Sequence, residues 1–209
     1  MWNETRSDTA KNGAAGVRQE SPLVGVAELL SGQTARAAGL FSLRERPFCD
    51  LVNLRGDARD PAFAEVVAQA TGVRLPVQPN TVARGAEYDA LWLGPDEWLV
   101  RSLEPRPALL ETRLTGALAG QFATAVDVGS GYTVLEAHGT RVRDVLARGC
   151  PLDLHPQGFA PGQCAQSHYF KASIVLVPVQ RDAYELVVRR SFADYFCRMM
   201  LDAALPLVS

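Results

Sequence analysis

Four side chains that could ligate a metal lie close together in the chain: Cys150, His155, Cys164 and His168. The spacing Cys-x4-His-x8-Cys-x3-His offers zinc two thiolates and two imidazoles within one short segment. Structural zinc usually also shows a tight Cys-x2-Cys pair, and none is present here. The competing reading makes these thiols buried and these histidines exposed. Cys49 and Cys197 complete a scattered set of four cysteines, which suits buried thiols in a reducing compartment.

Other segments invite chemistry more weakly. Gly129-Ser130-Gly131 could cradle a phosphate or present a serine. A dinucleotide fingerprint needs glycine at position 134, which is valine. A nucleophile elbow needs glycines two residues before and after the serine, and here they flank it directly. A tight turn with positive backbone angles explains the motif. Arg55-Gly56-Asp57 matches an integrin tripeptide but reads as a strand-end turn. Trp92 and Trp98 flank a tight turn, where Trp92 is either a stacking platform or a half-buried strand aromatic. Arg189 and Arg190 precede Ser191 where a strand enters a helix, a place that suits an anion or a protein partner. Arg189, Arg190, Asp96 and Trp98 are the candidate partner contacts. The three histidines and scattered carboxylates form no catalytic acid/base set.

The elements that position these residues follow a pattern that occurs twice. Cys49 to Gly56 is a strand and glycine. Asp60 caps a helix with Pro61 first and Gly72 after it. Leu91 to Val100 is a hairpin turning at Gly94-Pro95-Asp96-Glu97. Pro107 then opens a helix that Gly120 closes. The second round has strands at 124–128 and Tyr132 to Gly139, a short helix to Gly149, and a strand near 165–170. A hairpin over 172–188 and a last helix follow, with Ser191 and Asp194 spaced as a capping box. Helices alternating with hairpins predict an α+β fold of two pseudo-repeated halves, with helices on one side of mixed sheets. The expected division is 1–42 (a disordered arm to about residue 20, a short helix from Ser21-Pro22, then linker over 31–43), 43–121 and 122–209. Any chemistry should sit where the halves meet.

Composition narrows the classes. With 47% hydrophobic residues among 209, the chain can bury a large core. Its net charge of −2 argues against sequence-independent nucleic-acid binding. No apolar run approaches the roughly 20 residues of a membrane span. The first residues hold no apolar signal core, so a cytoplasmic protein is expected.

Five strings then carry a resemblance. They are Asn53-Leu-Arg-Gly-Asp57, Trp92-Leu-Gly-Pro-Asp-Glu-Trp-Leu99, Gly149-Cys-Pro-Leu-Asp-Leu-His-Pro156, Cys164-Ala-Gln166 and Val188-Arg-Arg-Ser-Phe-Ala-Asp-Tyr195. In this order, over about residues 21–204, the chain resembles the gamma subunit of heterotetrameric sarcosine oxidase. The resemblance implies an oxidoreductase that converts sarcosine, oxygen and tetrahydrofolate to glycine, methylenetetrahydrofolate and hydrogen peroxide. It places NAD and a folate-binding half in the alpha subunit, FAD and covalent FMN in beta, and zinc in delta. Gamma then holds no cofactor, no metal and no catalytic residue. Its fold resembles the folate-binding aminomethyltransferase of glycine cleavage. That family's pattern has an Asp-x-Ser strand, a glycine before a helix and a later catalytic aspartate. Here Asp127-Val-Gly129 lacks the serine, Gly139 fits, and Lys171-Ala-Ser-Ile-Val175 lacks the aspartate. A non-catalytic assembly role follows. The alternatives are a stand-alone folate-binding or aminomethyltransferase-like protein, or a gamma subunit acting with another N-methyl amino acid oxidoreductase.

Overall fold

The computed structural model describes residues 19–36 and 39–208. The expected arm lies outside the described residues up to residue 18. Two five-stranded antiparallel sheets pack face to face, and each carries its helices on its outer side.

The first sheet holds β2 (Cys49–Arg55), β3 (Val82–Arg84), β4 (Tyr88–Gly94), β5 (Glu97–Pro105) and β6 (Thr124–Asp127), in the order β3-β4-β5-β2-β6. The second holds β1 (Ser42–Arg46), β7 (Tyr132–His138), β8 (Ala165–Tyr169), β9 (Ala172–Gln180) and β10 (Ala183–Arg189), in the order β1-β7-β10-β9-β8. All strand pairs are antiparallel, which corrects the mixed sheets expected from sequence. The expected division at 121/122 does not separate the sheets. β1 comes from the first half and pairs β7, whereas β6 comes from the second and pairs β2. The linker expected over 31–43 is instead the end of α1 (Ala27–Arg36) and the start of β1.

Strand alternation sorts the side chains. In the first sheet Val52, Leu54, Tyr88, Ala90, Trp98 and Val100 face α2 (Pro61–Thr71) and α3 (Leu110–Ala117). In the second, Leu135, Leu176, Leu186 and Val188 face α1, α4 (Val142–Ala147) and α5 (Ala193–Val208). The opposite faces meet between the sheets. Leu51, Leu91 and Leu99 there touch Val134, Val177 and Val187. At one edge the sheets are stitched by backbone bonds: Cys164 N donates to Asn80 O at 2.9 Å and Val82 N to Gly162 O at 2.9 Å.

Local chemistry explains the ends of elements. Asp60 accepts from Ala62 N at 2.9 Å and Pro61 opens α2. Gly72 closes it in the left-handed region at φ 72°. Pro178 has no N–H to give. It lies beyond the end of β8 and opposite the irregular register at Ala183/Tyr184, so no ladder bond is lost. The capping box expected from Ser191 and Asp194 does not form. Arg190–Phe192 make a 3-10 turn without a side-chain cap, and Asp194 binds Arg198 at 2.7 Å.

Gly139 joins β7 to α4 at φ 123°, and a Cβ there would lie 2.3 Å from Leu40 O. Both constraints favour glycine. Gly139→Ala is expected to cost about 2–4 kcal/mol, from left-handed strain and backbone overpacking together. Gly116→Ala, in open space on α3, is expected to be neutral or stabilising by up to about 1 kcal/mol. Paired urea melts decide it: equal midpoints for the two variants would contradict this account.

Candidate functional site

Chemistry between the halves would have to use the residues that face each other across the two sheets. Apart from the apolar contacts, these are charged. Glu136 on β7 and Glu185 on β10 are register partners on one face. Adjacent carboxylates repel, so cations must hold them there. Arg46, on the strand lent by the first half, donates through Nη2 to Glu136 at 2.6 Å and also pairs with Glu185. Its Nη1 donates to Leu103 O at 2.7 Å, which ties it to the opposite sheet. Arg101 on β5 is fully buried and binds Glu185 across the interface. Its Nη2 also lies 3.5 Å from Asp89 on β4. Arg84 pairs with Asp89 at 2.7 Å from the rim. Arg44, largely exposed, closes the other rim on Glu136.

The shifts follow from this balance. Burial pushes the Glu185 carboxyl up, but the charges of Arg101 and Arg46 and their hydrogen bonds outweigh it, and the net value is lowered. Glu136 is likewise lowered: burial opposes, and the hydrogen bonds of Arg44 and Arg46 prevail. Burial pushes the thiols of Cys49 and Cys164 up to about 11, away from nucleophilic reactivity. The interface therefore holds carboxylates fixed as anions by arginines, and protonated thiols. Neither is poised to move a proton near neutral pH. Outside the interface Asp50 caps α3, accepting from Leu110 N at 3.0 Å and Leu109 N at 3.2 Å. Burial raises it against those bonds.

The residues singled out from sequence disperse. Cys150 is buried with Sγ 3.6 Å from Ser167 Oγ, and Cys164 Sγ faces the carbonyls of Thr81 and Trp92. His155 and His168 are exposed. Among the described residues no group of three His, Cys, Asp or Glu is placed to hold a metal. Gly129–Gly131 form a 3-10 turn, and their backbones do not use the positive angles expected of them. Gly129 is small for another reason: a Cβ would meet Asp127 Oδ1 at 3.1 Å and Cys49 O at 3.3 Å. Arg55-Gly56-Asp57 is a strand-end turn, with Gly56 N donating to Asp96 O at 3.1 Å. Trp92 is half-buried against the first core.

Trp98 is fully buried, with Nε1 donating to Pro76 O at 2.8 Å and its ring 6.1 Å from Phe63. This corrects its selection as a partner contact, because its period-2 position on β5 turns it toward α2. Asp96, Arg189 and Arg190 are exposed, but Asp96 belongs to the first sheet and the arginines to the second. The buried ion network escaped the sequence reading. Its signal was present as charges interrupting apolar strands: Asp89, Arg101, Glu136 and Glu185. A surface concavity of about 520 Å³ lies elsewhere, along the C-terminal part of α5, lined by Arg148, Phe170, Met199 and Asp202. No described helix is long and apolar enough to cross a membrane.

Comparison with known proteins is consistent along the chain. Residues 55–205 match the model of the "Sarcosine oxidase, gamma subunit family". The sarcosine oxidase subunit gamma of Corynebacterium sp. (strain U-96) is 30% identical over 97% of this chain and 95% of its own. That of Corynebacterium sp. (strain P-1) is 32% identical over 88% and 89%. Among solved structures, a chain of heterotetrameric sarcosine oxidase from Corynebacterium sp. U-96, in complex with pyrrole 2-carboxylate, superposes with TM-score 0.82. It is 27% identical and matches 91% of this chain and 97% of that one. Aminomethyltransferase T of Bartonella henselae shares the fold at TM-score 0.59 and 12% identity, over 92% of this chain and 53% of that one.

The ion network sets a pH dependence. Glu136 and Glu185 are lowered in the folded chain, so their contribution is present above the ordinary glutamate value near ~4.3 and is lost as pH falls through the lowered values. Asp50, raised, works in the opposite sense and weakens as pH rises. Stability should therefore drop from about pH 5 downward in denaturant titrations. Glu185→Ala, which strands Arg101, should cost about 3–5 kcal/mol at pH 7, and Arg44→Ala at the exposed rim at most about 1. A Glu185→Ala variant as stable as the parent at neutral pH would remove the network from its structural role.

Proposed function

Since the chain belongs to the sarcosine oxidase gamma subunit family, we propose that it is the non-catalytic assembly subunit of a heterotetrameric flavoenzyme. That enzyme oxidises sarcosine with oxygen and tetrahydrofolate, giving glycine, methylenetetrahydrofolate and hydrogen peroxide. FAD, FMN, NAD and zinc are held by the alpha, beta and delta partners, in the cytoplasm, and this chain holds no cofactor.

The observation that carries the non-catalytic reading is the state of the sheet interface. Its apolar residues are in mutual contact, and Glu136 and Glu185 are committed to arginines. A second observation supports it. The stretch Lys171–Val175, where the aminomethyltransferase pattern calls for a carboxylate, enters β9 with Ala172 and Ile174 buried in the second core. The two sheets also share one succession. Each reads as a strand lent by the other half, then the first, fourth, third and second of the sheet's four remaining strands. We read this as an internal duplication whose two copies exchanged an edge strand.

The alternatives are separable by experiment. The isolated chain should be colourless, should not turn over sarcosine, and should give a flat folate titration followed by Trp92 fluorescence. Co-expressed with its partners, it should purify in a yellow complex that forms peroxide from sarcosine. Saturable folate binding by the isolated chain would favour the stand-alone transferase. A complex active only on another N-methyl amino acid would keep the assembly role and change the substrate.

A further inference from the structure

Among the described residues, six exposed arginines pair with a carboxylate and six do not. Arg44, Arg55, Arg59, Arg84, Arg141 and Arg198 each pair with one. Arg74, Arg113, Arg148 and Arg181 stand singly among the rest, but Arg189 and Arg190 are adjacent, and both are exposed without a carboxylate among the described residues. They are nevertheless held in place. The Arg189 guanidinium lies 5.8 Å from the Tyr132 ring centroid, its register partner across β7 and β10. Arg190 Nη2 donates to Glu20 O at 2.8 Å.

Three carboxylates on neighbouring segments are engaged elsewhere, while Glu20 meets Arg190 through its backbone oxygen. Asp194 binds Arg198, Asp127 accepts from Gly129 N at 2.8 Å, and Glu45 accepts from Thr133 at 2.6 Å and from Ser21. Beside the pair stands Phe192, 39% exposed, with its ring edge-on to Tyr195 at 6.4 Å. The 3-10 turns at 129–131 and 190–192 meet here, so the backbone beneath is supported by both.

We propose that Tyr132, Arg189, Arg190 and Phe192 form the docking face for an acidic segment of a partner subunit, with an apolar side chain seated against Phe192. This rests on the assembly reading above. Arginines and aromatics are the residue types that dominate binding energy at interfaces. Guanidinium groups without a carboxylate match carboxylates in fork geometry. Their anchorage reduces the ordering cost of binding. The sign of the partner follows from the sign of the patch: two free cations on a chain of net charge −2 select an acidic segment and disfavour a basic one.

The test is co-expression of the four subunits with a tag on a partner, measuring how much of this chain is retained in the purified complex. Arg189→Glu/Arg190→Glu should lower retention at least tenfold, and Phe192→Ala at least threefold. Parent retention should fall as salt is raised, more steeply than that of Arg189→Gln/Arg190→Gln. Melts of the isolated variants check the fold. If the reversal unfolds the chain, the glutamine pair, which adds no repulsion, carries the test. Retention of folded variants at the parent level would overturn this docking face while leaving the assembly reading intact. Failure of the parent itself to assemble would overturn both.

Discussion

Two glutamates side by side between the sheets are the constraint on which the rest of the structure depends. Glu136 and Glu185 face each other in register on the inner side of the second sheet. Desolvated and alone, they could not both stay ionised on that face. Arg46 and Arg101 allow it, and each comes from outside the pair of strands that carries the acids. Arg46 arrives on β1, the strand lent by the first half. Arg101 arrives from the facing sheet. The pairing of β1 with β7 and the packing of the sheets are thus both written into one charge cluster. A one-residue slip of β1 would turn Arg44 and Arg46 to the outer side and put Leu43 and Glu45 in their place. Such a cluster is worth more for uniqueness of register than for raw stability. Arg101 Nε and Nη1 and Asp89 Oδ1 have no hydrogen-bond partner among the described residues, so the buried ions are incompletely compensated.

This arrangement also explains which parts of the fold were legible in the sequence. The capped helix at Asp60-Pro61 and its glycine stop were readable because helix ends are local chemistry. So was the hairpin at Gly94-Pro95-Asp96-Glu97, where turn residues sit between apolar runs. β1 was not, because Ser-Leu-Arg-Glu-Arg has one apolar residue in five and looks like linker. Its strand character comes from acids nearly a hundred residues away. β6 read as a strand but was assigned to its neighbours in sequence, whereas hydrogen bonding placed it beside β2. Trp98 shows the same limit at one side chain: the turn beside it is exposed, and one strand position later the pleat buries it.

The site was less legible than the fold. Cys150, His155, Cys164 and His168 are near one another in sequence, and the loop that holds the first three and the strand that holds the last then point them to different surroundings. Spacing along a chain predicts ligation only when a tight turn or one helix face enforces proximity. The residues that do come together, Arg46, Arg101, Glu136 and Glu185, span 139 positions between the first and last. Each alone looks like an ordinary surface charge. Their signal was the break they make in apolar alternation, visible only once strands are assumed.

The likeness to the aminomethyltransferase fold now takes on a physical meaning. A face-to-face pair of sheets encloses a polar ligand most readily where polar groups at the interface are free to bind it. Here the interior carboxylates are tied to arginines and the thiols are protonated, so the same architecture is spent on holding two halves together. On the assembly reading, recognition falls to the outside: turns, strand ends and helix starts, where charge is exposed and backbone is fixed from below. On the proposed assembly role, such a subunit contributes through surface complementarity, and its buried charges serve the shape of that surface.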